Sequence, residues 1–198
     1  MMKEKKEKKK WGLIVFIVVI MLGTTFSFVY YGFEPQESVV NYNGVKFVNQ
    51  GSPAQGNFWV AKINGVEAAF RFLPSDVENI NATGDFSKEL QDKLEIDTTY
   101  DLNNTYKGSI ALAQRQMELI LEHYNVYVGR GFTEANQFNK QVITCNESTA
   151  NVPVIYFKSG NATGIHVEGH CVIAEATSNT DVIKVKDRLL YGMLGVMK

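Results

Sequence analysis

The chain has 198 residues, 45% hydrophobic, 21% charged and 12% aromatic, with a formal net charge of -1. That composition excludes a disordered chain, a collagen-like repeat and a disulfide-dense mini-protein. The charge balance excludes a globally basic nucleic-acid binder, so no nucleic acid is expected as a partner.

The charge is unevenly divided. Residues 1–10 carry six Lys and two Glu, and the rest of the chain carries fourteen basic against nineteen acidic residues. The basic tail is read as a topology signal, because residues 11–31 follow it without a single charge. As a helix, that segment is about 31 Å long, close to a hydrocarbon core of ~30 Å. Trp11 at one end and Tyr30 and Tyr31 at the other are placed as interfacial aromatics. The positive-inside rule keeps the N-terminus in the cytoplasm and sends everything after Tyr31 across the cell membrane. A retained signal anchor fits better than a cleaved signal peptide. The apolar run is too long for a signal-peptide core and ends in Phe28-Val29-Tyr30-Tyr31, although Gly23-Thr24-Thr25 offers a small-residue site. The lipid bilayer is thus the first expected partner, through residues 11–31. A pilin-like layout is a further alternative, with Gly12 before the apolar helix. Trp11 directly before it, and the lack of an early Glu or Gln after it, depart from that pattern.

Residues 32–38 read as a polar linker, and residues 39–198 as one extracytoplasmic domain. Two Asn-Gly pairs, Asn43-Gly44 and Asn64-Gly65, mark type I′ hairpin turns. The second hairpin pairs Ile63 with Val66, Ala61 with Ala68 and Trp59 with Phe70 on an apolar face, and Lys62 with Glu67 on the other. In the first, Tyr42 pairs with Val45 and Val40 with Phe47. Ser75 to Glu78 reads as a capping box opening a short helix. Residues 85–94 read as another helix, and Ile96 to Tyr100 as a strand. Ile110, Ala113, Met117, Ile120, Leu121 and Tyr124 recur at helical spacing over residues 107–124. With a strand from Asn125 to Gly129, they suggest a crossover joining two parallel strands.

Further on, Thr133 is expected to cap a helical turn. Strands are expected at Gln141 to Cys145, Val152 to Lys158, Ile165 to Val167 and Cys171 to Ala176. A last helix opens near Thr180-Asp181 and buries Val182, Val185, Leu189, Met193 and Val196. Asp187-Arg188 on it reads as a rim ion pair. The expected fold is α+β, a mixed and mostly antiparallel sheet with helices packed on one side.

Two cysteines, Cys145 and Cys171, are expected to form a disulfide outside the cell, worth ~3 kcal/mol by loop entropy; the alternative is two buried thiols. Four N-x-[ST] sequons, at Asn81, Asn103, Asn146 and Asn161, are glycosylation candidates near turns. The one suggestive metal constellation is His166, Glu168 and His170. Two imidazoles and a carboxylate form a catalytic zinc set if they share a strand face. A turn at Glu168-Gly169 would instead break that face and put His166 opposite Cys171. No Walker loop, dinucleotide fingerprint or Gly-x-Ser-x-Gly elbow occurs, so no catalytic residue is assigned and no cofactor is expected.

Phe58-Trp59 with the Asn64-Gly65 turn, Ile110-Ala111-Leu112-Ala113, Cys145, His170-Cys171-Val172-Ile173 and Asp187-Arg188-Leu189-Leu190-Tyr191-Gly192 together resemble a loosely defined group of archaeal single-pass membrane proteins. The resemblance implies no activity. The expected function is a non-enzymatic surface module that binds a membrane or cell-surface protein or joins a complex. The alternatives are an extracytoplasmic hydrolase and the pilin-like subunit.

Overall fold

The structure is a computed structural model that describes residues 11–31, 38–51 and 56–197. The basic tail 1–10 and nearly all of the linker 32–38 lie outside the described residues. Two units result, 1–37 and 38–198.

In the first unit, α1 (Trp11–Tyr31) is a 21-residue helix. Its described apolar side chains, Ile14 to Leu22, are exposed. Among the described residues no helix is long and apolar enough to cross a membrane. For α1 the described side chains cover only residue 12 and residues 14–23, so the reading of residues 11–31 as a bilayer span rests on the sequence.

The second unit is α+β, with an antiparallel sheet, a mixed sheet and packed helices. One sheet was expected; there are two. The smaller is a meander of β1 (Val39–Tyr42), β2 (Val45–Asn49), β3 (Trp59–Ile63) and β4 (Val66–Phe70), all antiparallel. Every expected hairpin pair is present, Ile63 with Val66 and Lys62 with Glu67 included. Both turns have positive φ at Asn and Gly, as type I′ geometry requires. The turn asparagines also reach across the domain. Asn43 Nδ2 donates to the Val196 carbonyl at 3.1 Å and Asn64 Nδ2 to the Leu194 carbonyl at 3.5 Å.

The larger sheet contains β5 (Asn81–Thr83), β6 (Glu95–Tyr100), β7 (Tyr127–Arg130), β8 (Val154–Ser159), β9 (Gly164–Glu168) and β10 (Cys171–Ala176). Its order is β5-β9-β10-β8-β6-β7. Here the balance differs from expectation: only β9 and β10 pair antiparallel, and the other four pairings are parallel. Strands β8 and β10 are apolar at consecutive positions because both their faces are covered. Ile155, Phe157, Val172 and Ala174 face the main core, while Val154 and Ile173 face a second cluster with Ile143 and the disulfide.

Four helices complete the unit: α2 (Pro74–Val77), α3 (Phe86–Leu90), α4 (Lys107–Glu122) and α5 (Asn179–Met193). The expected crossover is present, since β6 leads through α4 into the parallel strand β7. Helix α5 is capped by Ser178, whose Oγ accepts from the Asp181 N–H at 3.1 Å.

Several local expectations are corrected. Helix α2 starts at Pro74, with the Asp76 carboxylate accepting from the Leu73 N–H at 3.0 Å, so Ser75 is not its cap. Helix α3 ends at Leu90 rather than Leu94. No helical turn forms at Thr133. The strand expected over Gln141 to Cys145 is reduced to one bridge between Phe132 and Val142 and a 3₁₀ turn, Cys145–Glu147. Local bonds decide that last case: the Glu147 carboxylate accepts from both the N–H and the Oγ1 of Thr144.

Candidate functional site

The residues singled out in the sequence fall in separate places. The β9–β10 turn is Gly169-His170, one residue later than expected, so Glu168 opposes Cys171 and His166 opposes Ile173. His166 Nε2 lies 3.5 Å from the Glu168 carboxylate. His170 Nδ1 turns to a different carboxylate, Glu89 on α3, at 2.8 Å. The two imidazoles are thus held apart, and no cluster of three or more His, Cys, Asp or Glu side chains occurs among the described residues.

Cys145 and Cys171 form a disulfide, with Cα atoms 5.3 Å apart. It ties the loop after β7 to the first residue of β10. All four sequon asparagines are exposed, whereas the neighbouring Asn104 is buried. Asn103 and Asn161 follow the carboxyl ends of β6 and β8, and Asn81 opens β5 beside Gly164 at the same edge of the sheet. Asn146 lies at the disulfide instead.

Asp187 and Arg188 do not form the expected rim pair. Asp187 is fully buried, and its carboxylate accepts from the N–H groups of Arg71 and Phe72 at 3.0 and 2.9 Å. Its cationic partner is Lys186, itself 1% exposed. Burial pushes the Asp187 carboxyl upward, and Lys186 and the two backbone donors act against that shift. Arg188 lies over the Phe86 ring, 5.0 Å from its centroid. Arg188 thus faces α3, whereas Asp187 joins α5 to the end of β4, and Tyr191 Oη completes that joint by donating to the Phe72 carbonyl at 2.6 Å.

The surface with ligand-binding character lies elsewhere, at the carboxyl ends of β6 and β7. From β6 the chain runs through α4 to the parallel strand β7, and β8 pairs on the other side of β6. In open parallel sheets, crevices that take ligands lie outside the strand carboxyl ends. A groove of about 780 Å³ is found there. One wall is a ladder of rings: Tyr100 meets Phe132 edge-on at 5.1 Å, and Phe132 meets Phe138 at 6.1 Å. Burial pushes the Tyr100 phenol upward, against the pull of Arg130, which keeps it a neutral ring in this wall.

Phe138 is 57% exposed, yet its loop is latched. Asn136 Oδ1 accepts from the N–H groups of Phe138 and Lys140, both at 3.1 Å, and Asn136 Nδ2 donates to the Lys140 carbonyl at 2.9 Å. Among the described residues lining the groove two are lysines, Lys107 and Lys140, and none is acidic. The flanking carboxylates are engaged by Asn103: Asp101 accepts from its N–H at 2.7 Å and Glu134 from its Nδ2 at 3.5 Å. Sequence reading missed this site. Its one local signal is Phe138, a lone aromatic in the polar run from Thr133 to Lys140.

Comparison of the chain with protein-family models, with curated proteins and with solved structures gives no match. The resemblance to archaeal single-pass proteins gains no support from these comparisons.

Proposed function

We propose that this protein is a membrane-anchored extracytoplasmic binding module, with its N-terminus in the cytoplasm and no catalytic role. The anchor reading draws on the Lys-rich tail and the uncharged 21-residue α1. The exterior reading draws on the Cys145–Cys171 disulfide, since such bonds persist in oxidising compartments. The four exposed sequons are open to glycosylation there.

The observation that carries the binding reading is the Phe138 loop. An exposed aromatic ring costs solvation, and the fold gives it no core to enter. Asn136 nonetheless holds the backbone that carries that ring in place beside a groove. A preorganised aromatic at a surface is what a binding site needs, because little entropy is lost when the partner arrives. A membrane or cell-surface protein, or a ligand displayed on one, is the expected partner.

Topology and binding are tested together on intact cells. Added protease is expected to release the 38–198 domain, and thiol reagents to label Cys145 and Cys171 only after reduction. Extraction in mild detergent is then expected to yield a discrete complex. A protected domain with freely labelled thiols overturns the exterior reading.

A further inference from the structure

We infer that the groove between α4 and the Phe138 loop is a site for an acidic saccharide, a ligand of linked sugar rings bearing carboxylates. The inference rests on the binding-module reading and gives it a ligand class.

Charge is the first argument. The chain after the basic tail carries fourteen basic against nineteen acidic residues, yet among the described residues the groove is lined by two lysines and no acid. The lining itself is therefore cationic, which favours an anion in contact with it, while the Asp101 and Glu134 carboxylates stand at its flank bonded to Asn103. Folding does not explain Lys107. It is the first residue of α4, whose first turn has no acid, and a cation there opposes the helix dipole. A bound carboxylate removes that conflict.

Shape and chemistry supply the rest. A volume of about 780 Å³ is the size of a cleft holding two or three rings, far more than an inorganic anion fills. Phe138, exposed and backed by the half-buried Phe132, offers an aromatic ring against which the C–H face of a pyranose packs. Gln137 offers an exposed amide, able both to donate to and to accept from sugar hydroxyls. A flat aromatic acid would use the rings and lysines but leave the amide without a partner.

The other cavities serve this ligand less well. The larger one, of about 1080 Å³, mixes Glu78 and Asp85 with Lys88 and Arg188 and so has no net sign. The cavity beside Lys186 is about 350 Å³, and its ammonium is already paired with Asp187.

The test is calorimetric titration of the full-length protein in detergent micelles, freed of Asn-linked glycan because Asn103 lines the groove. The probes are trigalacturonic acid, the neutral trisaccharide maltotriose, 4-phenylbenzoate and inorganic sulfate. Trigalacturonic acid is expected to bind at least about tenfold more tightly than each of the others and to weaken as salt rises. Phe138→Ala and Lys140→Ala are each expected to weaken it about fivefold or more, and Lys88→Ala to leave it unchanged. Phe138 is exposed, so its truncation leaves the core in place, and an unchanged melting curve checks this. No binding, equal binding of the neutral sugar, tighter binding of 4-phenylbenzoate or sulfate, or indifference to Phe138→Ala each overturns the assignment. The protease and thiol experiment judges the anchored-module reading independently: failure here with an exposed domain sinks only the saccharide.

Discussion

The joint between α5 and β4 and the groove beside α4 are both rich in polar and aromatic groups, but the fold uses them in opposite ways. At the joint the Asp187 carboxylate, the Lys186 ammonium and the Tyr191 phenol are enclosed and engaged. Asp187 holds two backbone N–H groups and Lys186, Tyr191 holds a carbonyl, and the Tyr191 ring stacks on Phe70 at 4.4 Å. At the groove the Phe138 ring and the two ammonium groups stand open, and the Asn136 hydrogen bonds go into shaping the loop that carries Phe138 and Lys140. A buried ion pair is therefore weak evidence of function when its bonds are all accounted for. An exposed ring on a latched loop is better evidence, because stability does not call for it.

Breaking the joint gives the largest expected effect. Asp187→Ala strands the Lys186 ammonium and two backbone donors in the core. Removing one partner of a buried pair costs about 3–5 kcal/mol, and urea denaturation is expected to show a loss in that range. A loss below about 1 kcal/mol would mean that water reaches the joint and that the contrast drawn here is false.

The disulfide bears on the groove side of this comparison. It anchors the segment after β7, which carries Phe132, Phe138 and Lys140, to the start of β10. The bridged residues are 26 apart, so opening the loop is worth ~3 kcal/mol by chain entropy. The double variant Cys145→Ser, Cys171→Ser is expected to unfold at lower urea by that amount, and its Phe138 loop to be cut faster by protease. An unchanged cutting rate would show that Asn136 alone fixes the loop.

Much of the fold was legible because its signals are local. Both Asn-Gly turns dictate their hairpins, and the spacing from Ile110 to Tyr124 dictates α4. Pairings that depend on distant chain were harder to read. Asn81 to Thr83 becomes a strand only by lying beside Gly164 to His166. Asp187 looked peripheral because the reading assumed one apolar stripe on α5. Every residue there from Val185 to Gly192 is enclosed, because β10, α2, α3 and α4 pack against that helix and Phe47 and Phe70 of the small sheet meet Tyr191. The groove was the least legible, since Tyr100, Lys107, Phe132 and Lys140 come from separate segments that only the parallel β6-α4-β7 unit brings together.

The smallest effect sharpens the contrast at one edge of the sheet. Asp181 in the first turn of α5 is a carboxylate that the fold does spend. Its Oδ2 accepts from Ser178 Oγ at 2.7 Å and from Thr177 Oγ1 at 2.8 Å. Those bonds, Ser178 first, hold its carboxyl below the ordinary 3.8 despite partial burial. A carboxyl lowered in the folded state binds its proton less tightly there than in the unfolded chain. Its stabilising contribution is therefore complete above the unfolded value and is lost as pH falls through the folded one. The gap in unfolding free energy between wild type and Asp181→Asn is expected to be about 1 kcal/mol or less and constant from about pH 5 to 8, then to shrink below about pH 4. Urea titrations at several pH values measure it. A gap that instead grew on acidification would mean that the carboxyl is raised, and that this end of α5 is strained rather than satisfied.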